Sequence, residues 1–352
     1  MFSVASSKKE LDLRRALEDP ANFLHSIDVD NDHAVFVRTD PQLLRDSSFI
    51  DGRTSLTVEP PVALTLHTLA QPVEPDPEPD RFLFNASFCG STLLSRLLDV
   101  PGRSLVLKEP MCLADLATWK AERMRAGRPI KLLQTPLKLA KALLRRQFRS
   151  GEAVTIKPGN WSNNLIDDLV HESARVRPVF MTISRLRFLL AVFRGGAGRM
   201  HHATKIAWHL AASAEHGDDL LREAVGAGSD PLRKAANLAV LSRYFQIGIF
   251  QRAARSGGWN ADQVIDLDDI VRSPIDAAMK AAAALDLNVS HADLERNVRH
   301  HTKRYAKQPG RFYLAHRYEA DDRVLLNEHR QVFDDALSWA EKTLGPQLAV
   351  TA

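Results

Sequence analysis

From Arg81 onward, short apolar runs alternate with stretches of helical periodicity, and this alternation constrains the fold more than any other feature. The runs 81–85, 104–107, 153–157, 179–184 and 263–267 read as strands. The segments 91–99, 113–125, 137–148, 162–175 and 186–194 read as helices, and a long helical stretch covers 205–255 with a break around 226–230. Alternating strands and helices predict an α/β fold: a parallel sheet flanked by helices, here with a helix-rich C-terminal part. No internal repeat recurs at a fixed period.

Residues 1–80 read as an appendage. An amphipathic helix is predicted over 8–18, with Leu11, Leu13 and Leu17 apolar, and a strand over 34–38. Residues 71–80 hold four prolines and four carboxylates, a composition that forms neither ladder nor helix and reads as an extended linker. The expected organisation is therefore an N-terminal extension over 1–80 and an α/β domain over 81–352. A chain of 352 residues allows two domains or one with an extension.

Composition removes several classes. With 45% hydrophobic and 26% charged residues, the chain is neither disordered nor collagen-like nor a disulfide scaffold. The net charge of +4 is too mild to imply nucleic acid by itself. Two cysteines, Cys89 and Cys112, fit a reducing compartment. The N-terminus lacks the apolar stretch of a signal peptide, and runs such as 188–193 are too short to cross a bilayer, so a cytoplasmic protein without a membrane partner is expected.

The most informative segment comes directly after the first strand of the α/β part: Asn85-Ala-Ser-Phe-Cys-Gly-Ser-Thr-Leu93. Small residues around Gly90 end the strand, and Ser91 and Thr92 open a helix whose apolar side is Leu93, Leu94, Leu97 and Leu98. Backbone N–H groups and two hydroxyls at a helix N-terminus suit a phosphate, and Gly90 allows close approach. A strand-to-helix turn with hydroxyl caps is the plain alternative. It is not a Walker A motif: Asn85 stands at the first glycine and Ser91 at the lysine. Nor is it a Cys-x5-Arg phosphatase loop, since Arg96 stands one residue too far from Cys89.

Cys89-Gly-Ser-Thr-Leu-Leu94 resembles, from the glycine onward, the 5′-phosphosulfate loop of the sulfotransferases, P-loop-like enzymes that use 3′-phosphoadenosine 5′-phosphosulfate (PAPS). The resemblance implies that Cys89, Gly90, Ser91 and Thr92 hold the 5′ end of the nucleotide. Leu105-Val-Leu-Lys-Glu-Pro110 is a second match, in which Glu109 corresponds to the catalytic base. Independently of the family, Glu109 ends a predicted strand beside the loop, where α/β sheets build sites. Pairing with Lys108 or capping the next helix is its structural alternative. A third, degenerate match is Ser184-Arg-Leu-Arg187, where Arg185, with Ser184 and Arg187, is implied to bind the 3′-phosphate. A fourth is 264–274, a strand, an acidic run in which Asp268 or Asp269 caps, and Pro274 opening a helix. The stretch 301–313, with Lys303, Arg304, Lys307, Arg311 and then Arg317, sits where the family closes a loop over the nucleotide, or is a solvated loop.

One departure matters: Phe88 stands where the family carries the cation that stabilises the leaving oxygen. Losing such a charge costs about as much as an oxyanion donor. Lys157, at the end of the 153–157 strand and followed by Pro158-Gly159, is the expected replacement, with Asn160, Asn163 and Asn164 as neutral donors nearby. Residues 120–149 hold ten Lys or Arg and one acid, a stretch that faces an anionic acceptor or forms two solvated helix faces. The His201-His202 and His300-His301 pairs lack zinc-site spacing, so no metal is expected.

The resulting expectation is sulfuryl transfer from PAPS to a hydroxyl or amine of a small-molecule or peptide acceptor. Glu109 and Lys157 would be catalytic. The alternatives are an ATP-using P-loop kinase-like phosphotransferase and a nucleotide-binding protein without catalysis.

Overall fold

A computed structural model describes residues 11–53, 55–57, 59–69, 78–171, 173–226, 230–302, 304–305, 308–312, 315–346 and 350. After a helix at 11–18 comes a three-stranded antiparallel sheet of β1 (Asn22–Asp28), β2 (His33–Arg38) and β3 (Val62–Thr65). The main sheet has five parallel strands: β4 (Asp80–Asn85), β5 (Ser104–Lys108), β6 (Ala153–Lys157), β7 (Val176–Thr182) and β8 (Val264–Asp266). Their spatial order is β5-β6-β4-β7-β8. The chain thus fills one side of β4 and then crosses to the other. The crevice beyond the strands' C-terminal ends, around β4, is where α/β sheets bind ligands.

All six residues of β4 and all five of β5 and of β6 are buried. Both faces of a parallel sheet are covered, so such strands read as apolar runs rather than alternations. Phe82, Phe84, Phe180 and Phe250 stack in series at centroid distances of 5.3 to 5.6 Å, tying β4 to β7 and to the long helix Pro231–Gly257. That helix starts on Asp230, which accepts from the Leu232 N–H, with proline in its first turn, and stops at left-handed Gly258.

The sequence pattern locates the five main strands, with β7 beginning and ending earlier than expected. Several features differ: the expected 205–255 stretch is three helices, Gly196–Ala211, Gly217–Gly226 and Pro231–Gly257, interrupted at 212–216 as well. Residues 162–175 are not one helix: 3-10 turns Asn160–Leu165 and Ser173–Arg175 flank a short helix, Ile166–Leu169. The Asn163 and Asn164 side chains donate to the distant carbonyls Asn85 O and Ala117 O, tying the segment to β4 and to Met111–Arg125 instead of leaving it a free-standing helix. Strand β1 escapes the periodicity because a bulge between Leu24 and Ser26 breaks its alternation. At the start of Leu267–Arg272, Asp266 rather than Asp268 or Asp269 is the N-cap, and Asp269 completes a capping box. Pro274 does open Pro274–Ala284. Of the expected 8–18 helix and 71–80 linker, residues 8–10 and 71–77 lie outside the described residues.

The N-terminal residues share one buried cluster with the rest of the chain. The Ile27 N–H donates to Asp115 at 3.0 Å, the Trp119 indole to Asp30 at 2.9 Å, and Arg146 to the Ala16 and Asn22 carbonyls. The basic stretch is largely spent on such work: Lys120 pairs with Asp168, and Lys141 and Arg145 with Asp80. At the seam, buried Arg45 donates to Ser104 O at 2.9 Å and pairs with Asp99 and Glu152. Removing one member of a buried network leaves uncompensated charge. Arg45→Ala is expected to cost about 3–5 kcal/mol in denaturant unfolding. A loss under about 1 kcal/mol, within the range of exposed pairs, would contradict this role.

Candidate functional site

Polar side chains gather at the C-terminal edge of the main sheet. Glu109 comes directly after β5 and Lys157 ends β6, and the Lys157 ammonium lies 2.6 Å from Glu109 Oε1. Lys157 is 1% exposed and the Glu109 side chain 20%, so this pair forms in a largely enclosed place with one open side. Glu109 is left-handed, with φ +63°, an unusual conformation for a residue with a side chain. Its N–H donates to Lys157 O at 2.7 Å. Pro110, not Glu109, occupies the N-cap of Met111–Arg125, and Glu109 pairs with Lys157 rather than Lys108.

Lys108 goes elsewhere. Its ammonium donates to Arg45 O at 2.9 Å and stands 3.5 Å from Asp99. Burial, with Arg96 and Arg45 nearby, pulls it down to about 7 from its usual 10.5.

The loop between β4 and the helix Ser91–Leu98 adjoins this pair. Gly159 lies against the Glu109 side chain, and the next residue, Asn160, donates to Ser87 Oγ. Ser87 donates in turn to Gln246 Oε1 at 3.2 Å, which also accepts from Asn163 at 3.2 Å. Ser87, Phe88 and Gly90 are all left-handed. Gly90 occupies the N-cap and has no side chain to accept from the first turn, while the Ser91 N–H lies at the Cys89 sulfur. A side chain at Gly90 would stand 3.1 Å from Leu267, and its φ of +81° disfavours one anyway.

Cys89 is fully buried, and burial pushes its thiol up, against a thiolate nucleophile. Arg96 donates to Ser48 at 2.9 Å instead of converging on Cys89. The Phe88 ring packs on Phe188 and carries the Arg199 guanidinium 5.2 Å from its centroid. Arg199 folds back over Gly195, where a Cβ would lie only 1.9 Å from its Cδ.

The third group of expected residues stands apart. Ser184 caps Arg185–Arg194 by accepting from the Arg187 N–H. Arg185 donates to the Gly345 and Pro346 carbonyls at 2.9 and 3.2 Å. Arg187 pairs with Asp268 at 2.8 Å. Within the stretch 301–313, Arg304–Tyr305 pairs with Gln308–Phe312 as a two-stranded ribbon, but the side chains of Lys303, Arg304, Lys307, Arg311 and Arg317 lie outside the described residues. Sequence reasoning missed Arg53, whose guanidinium reaches Glu109 Oε2 at 3.4 Å, along with Ser87, Gln246, His202 and Arg199. Ser87 lies in the loop segment and His202, 3.2 Å from Asn160, in a histidine pair weighed only for zinc, while Arg53, Gln246 and Arg199 lie in no motif, so only the tertiary structure places them.

Among the described residues, no group of three or more His, Cys, Asp and Glu side chains is placed to hold a metal ion, and no helix is long and apolar enough to cross a membrane. The fold and site define an α/β protein with a five-stranded parallel sheet and an acid–lysine pair at its C-terminal edge. In comparison with known proteins, no family model, no curated protein and no solved structure matches this chain.

The environment of Lys108 has a pH signature. The unfolded chain keeps this proton up to about 10.5 and the folded chain releases it near 7, so between these values the unfolded state binds more protons. The Lys108 contribution to stability therefore rises with pH across that window, by at most about 1.4 kcal/mol per unit. Lys108→Met should lose this slope. Denaturant unfolding of both proteins at several pH values from 7 to 10.5 checks it, and a pH-independent difference between them would contradict the assignment.

Proposed function

We propose that this chain is a sulfotransferase-like enzyme that moves a sulfuryl group from PAPS to a hydroxyl or amine. The observation that carries the reading is the Glu109–Lys157 pair, 2.6 Å apart at the sheet's C-terminal edge and linked through Gly159 and Asn160 to the loop before Ser91. The strand order, 2-3-1-4-5 in order of occurrence, supports the P-loop-like topology that the resemblance implies.

In this reading the N-terminus of Ser91–Leu98 receives the 5′ phosphosulfate. The acceptor oxygen or nitrogen forms a bond to sulfur as the bond from sulfur to the bridging oxygen breaks. Glu109 takes the acceptor's proton. Lys157 supplies positive charge to the oxygen that leaves with adenosine 3′,5′-bisphosphate. Arg199, held over Phe88, adds a second cation to the side of the loop where the family's own is missing. Arg185, which the resemblance implies for the 3′-phosphate, donates to the Gly345 and Pro346 carbonyls.

Titration calorimetry with adenosine 3′,5′-bisphosphate, run beside ATP with Mg²⁺, tests the cofactor class. Binding of the bisphosphate without ATP is the expected outcome. ATP binding alone would replace this reading with a kinase-like one. Glu109→Gln should leave bisphosphate binding within a few-fold while lowering sulfuryl transfer by about 10²–10⁴, the range of a general base. Lys157→Ala with unchanged turnover would remove the lysine from the mechanism.

A further inference from the structure

The N-terminal unit reaches into the candidate site. Ile50, fully buried, brackets Glu109 along the backbone: its N–H donates to Lys108 O at 2.8 Å, and its carbonyl accepts from the Met111 N–H at 3.3 Å. Glu109's own N–H is taken by Lys157 O. The left-handed Glu109 is thus held from both sides, which is how a strained residue persists in a fold. Three residues past Ile50, the Arg53 guanidinium lies 3.4 Å from Glu109 Oε2, while Lys157 holds Oε1. The same guanidinium sits 3.8 Å above the Phe49 ring, and its Nε donates to both oxygens of Asp51, at 2.8 and 2.7 Å. The charged groups that meet the Glu109 carboxylate among the described residues are therefore Lys157 from β6 and Arg53 from the N-terminal unit, with Asp51 behind Arg53.

We propose that Arg53 is a positioning residue for Glu109: it holds Oε2 so that the carboxylate faces the open side of the site, and it makes the N-terminal unit part of the reacting centre. This deepens, and rests on, the reading of Glu109 as the proton acceptor. The Phe49 ring seats the guanidinium, Asp51 competes with Glu109 for its charge, and the Ile50 clamp fixes the distance over which it acts.

The test monitors the Glu109 carboxyl carbon by NMR in protein labelled at glutamate, with Glu109→Gln identifying the resonance. In Arg53→Gln the Glu109 carboxyl signal should titrate at higher pH than in the parent protein, because a nearby opposite charge favours the ionised form. Arg53→Lys should restore most of the shift. Asp51→Asn, which releases the guanidinium toward Glu109, should move the midpoint the other way and serves if Arg53→Gln does not fold. An unmoved midpoint in a folded Arg53→Gln, or in Asp51→Asn, overturns the proposal. The titration needs no donor, so a midpoint that shifts in a protein that fails to bind adenosine 3′,5′-bisphosphate supports the role of Arg53 while rejecting the sulfotransferase reading.

Discussion

A parallel sheet covered on both faces has almost nowhere to put polar chemistry except the edge where its strands end. The strands β4, β5 and β6 are buried throughout, so their backbone groups pair within the sheet and their side chains fill the core. The direction change at β4 opens that edge, and the residues just past each strand are polar or unusual in backbone conformation. Left-handed Ser87 and Phe88 come after β4, Glu109 after β5, Gly159 and Asn160 after β6, and the Ser184 cap after β7. The site is less a separate feature than the place where the sheet runs out.

The N-terminal unit completes that edge instead of hanging from it. β5 is one of the two edge strands of the sheet, and an uncovered edge strand exposes unpaired donors and acceptors. The segment around Ile50 pairs with the residues at its end, Arg45 is buried against Ser104 and Glu152, and Arg53 closes on Glu109. Covering the edge and shaping the site are therefore done by the same short piece of chain. The buried cations at the seam raise the stakes: Arg45, Arg96 and Lys108 lie close together, and the acids Asp99 and Glu152 hold the first of them in place.

Much of the fold was legible. Buried parallel strands need apolar runs, and 81–85, 104–107 and 153–157 carry them almost to the residue. The opening at Pro274 was legible through proline chemistry. The segment 162–175 was not, because its asparagines bond to carbonyls of strands and helices far away in sequence, and periodicity carries no information about such partners. At the site, Glu109 and Lys157 each stood out as a charged residue at a strand end, 48 positions apart. Arg53 and Gln246 stood in unremarkable surroundings and could not.

The sequence by itself determined the class of fold and the strand ends at which chemistry can occur, because burial and turn geometry are written in local residue types. The tertiary structure decided which of those ends meet. It brought Glu109 to Lys157, turned Lys108 toward Arg45, engaged Arg185 with the C-terminal carbonyls and delivered Arg53 from a unit that local pattern had set aside. Such pairings depend on strand order and on how a whole layer packs, and neither is encoded in any single window of the chain.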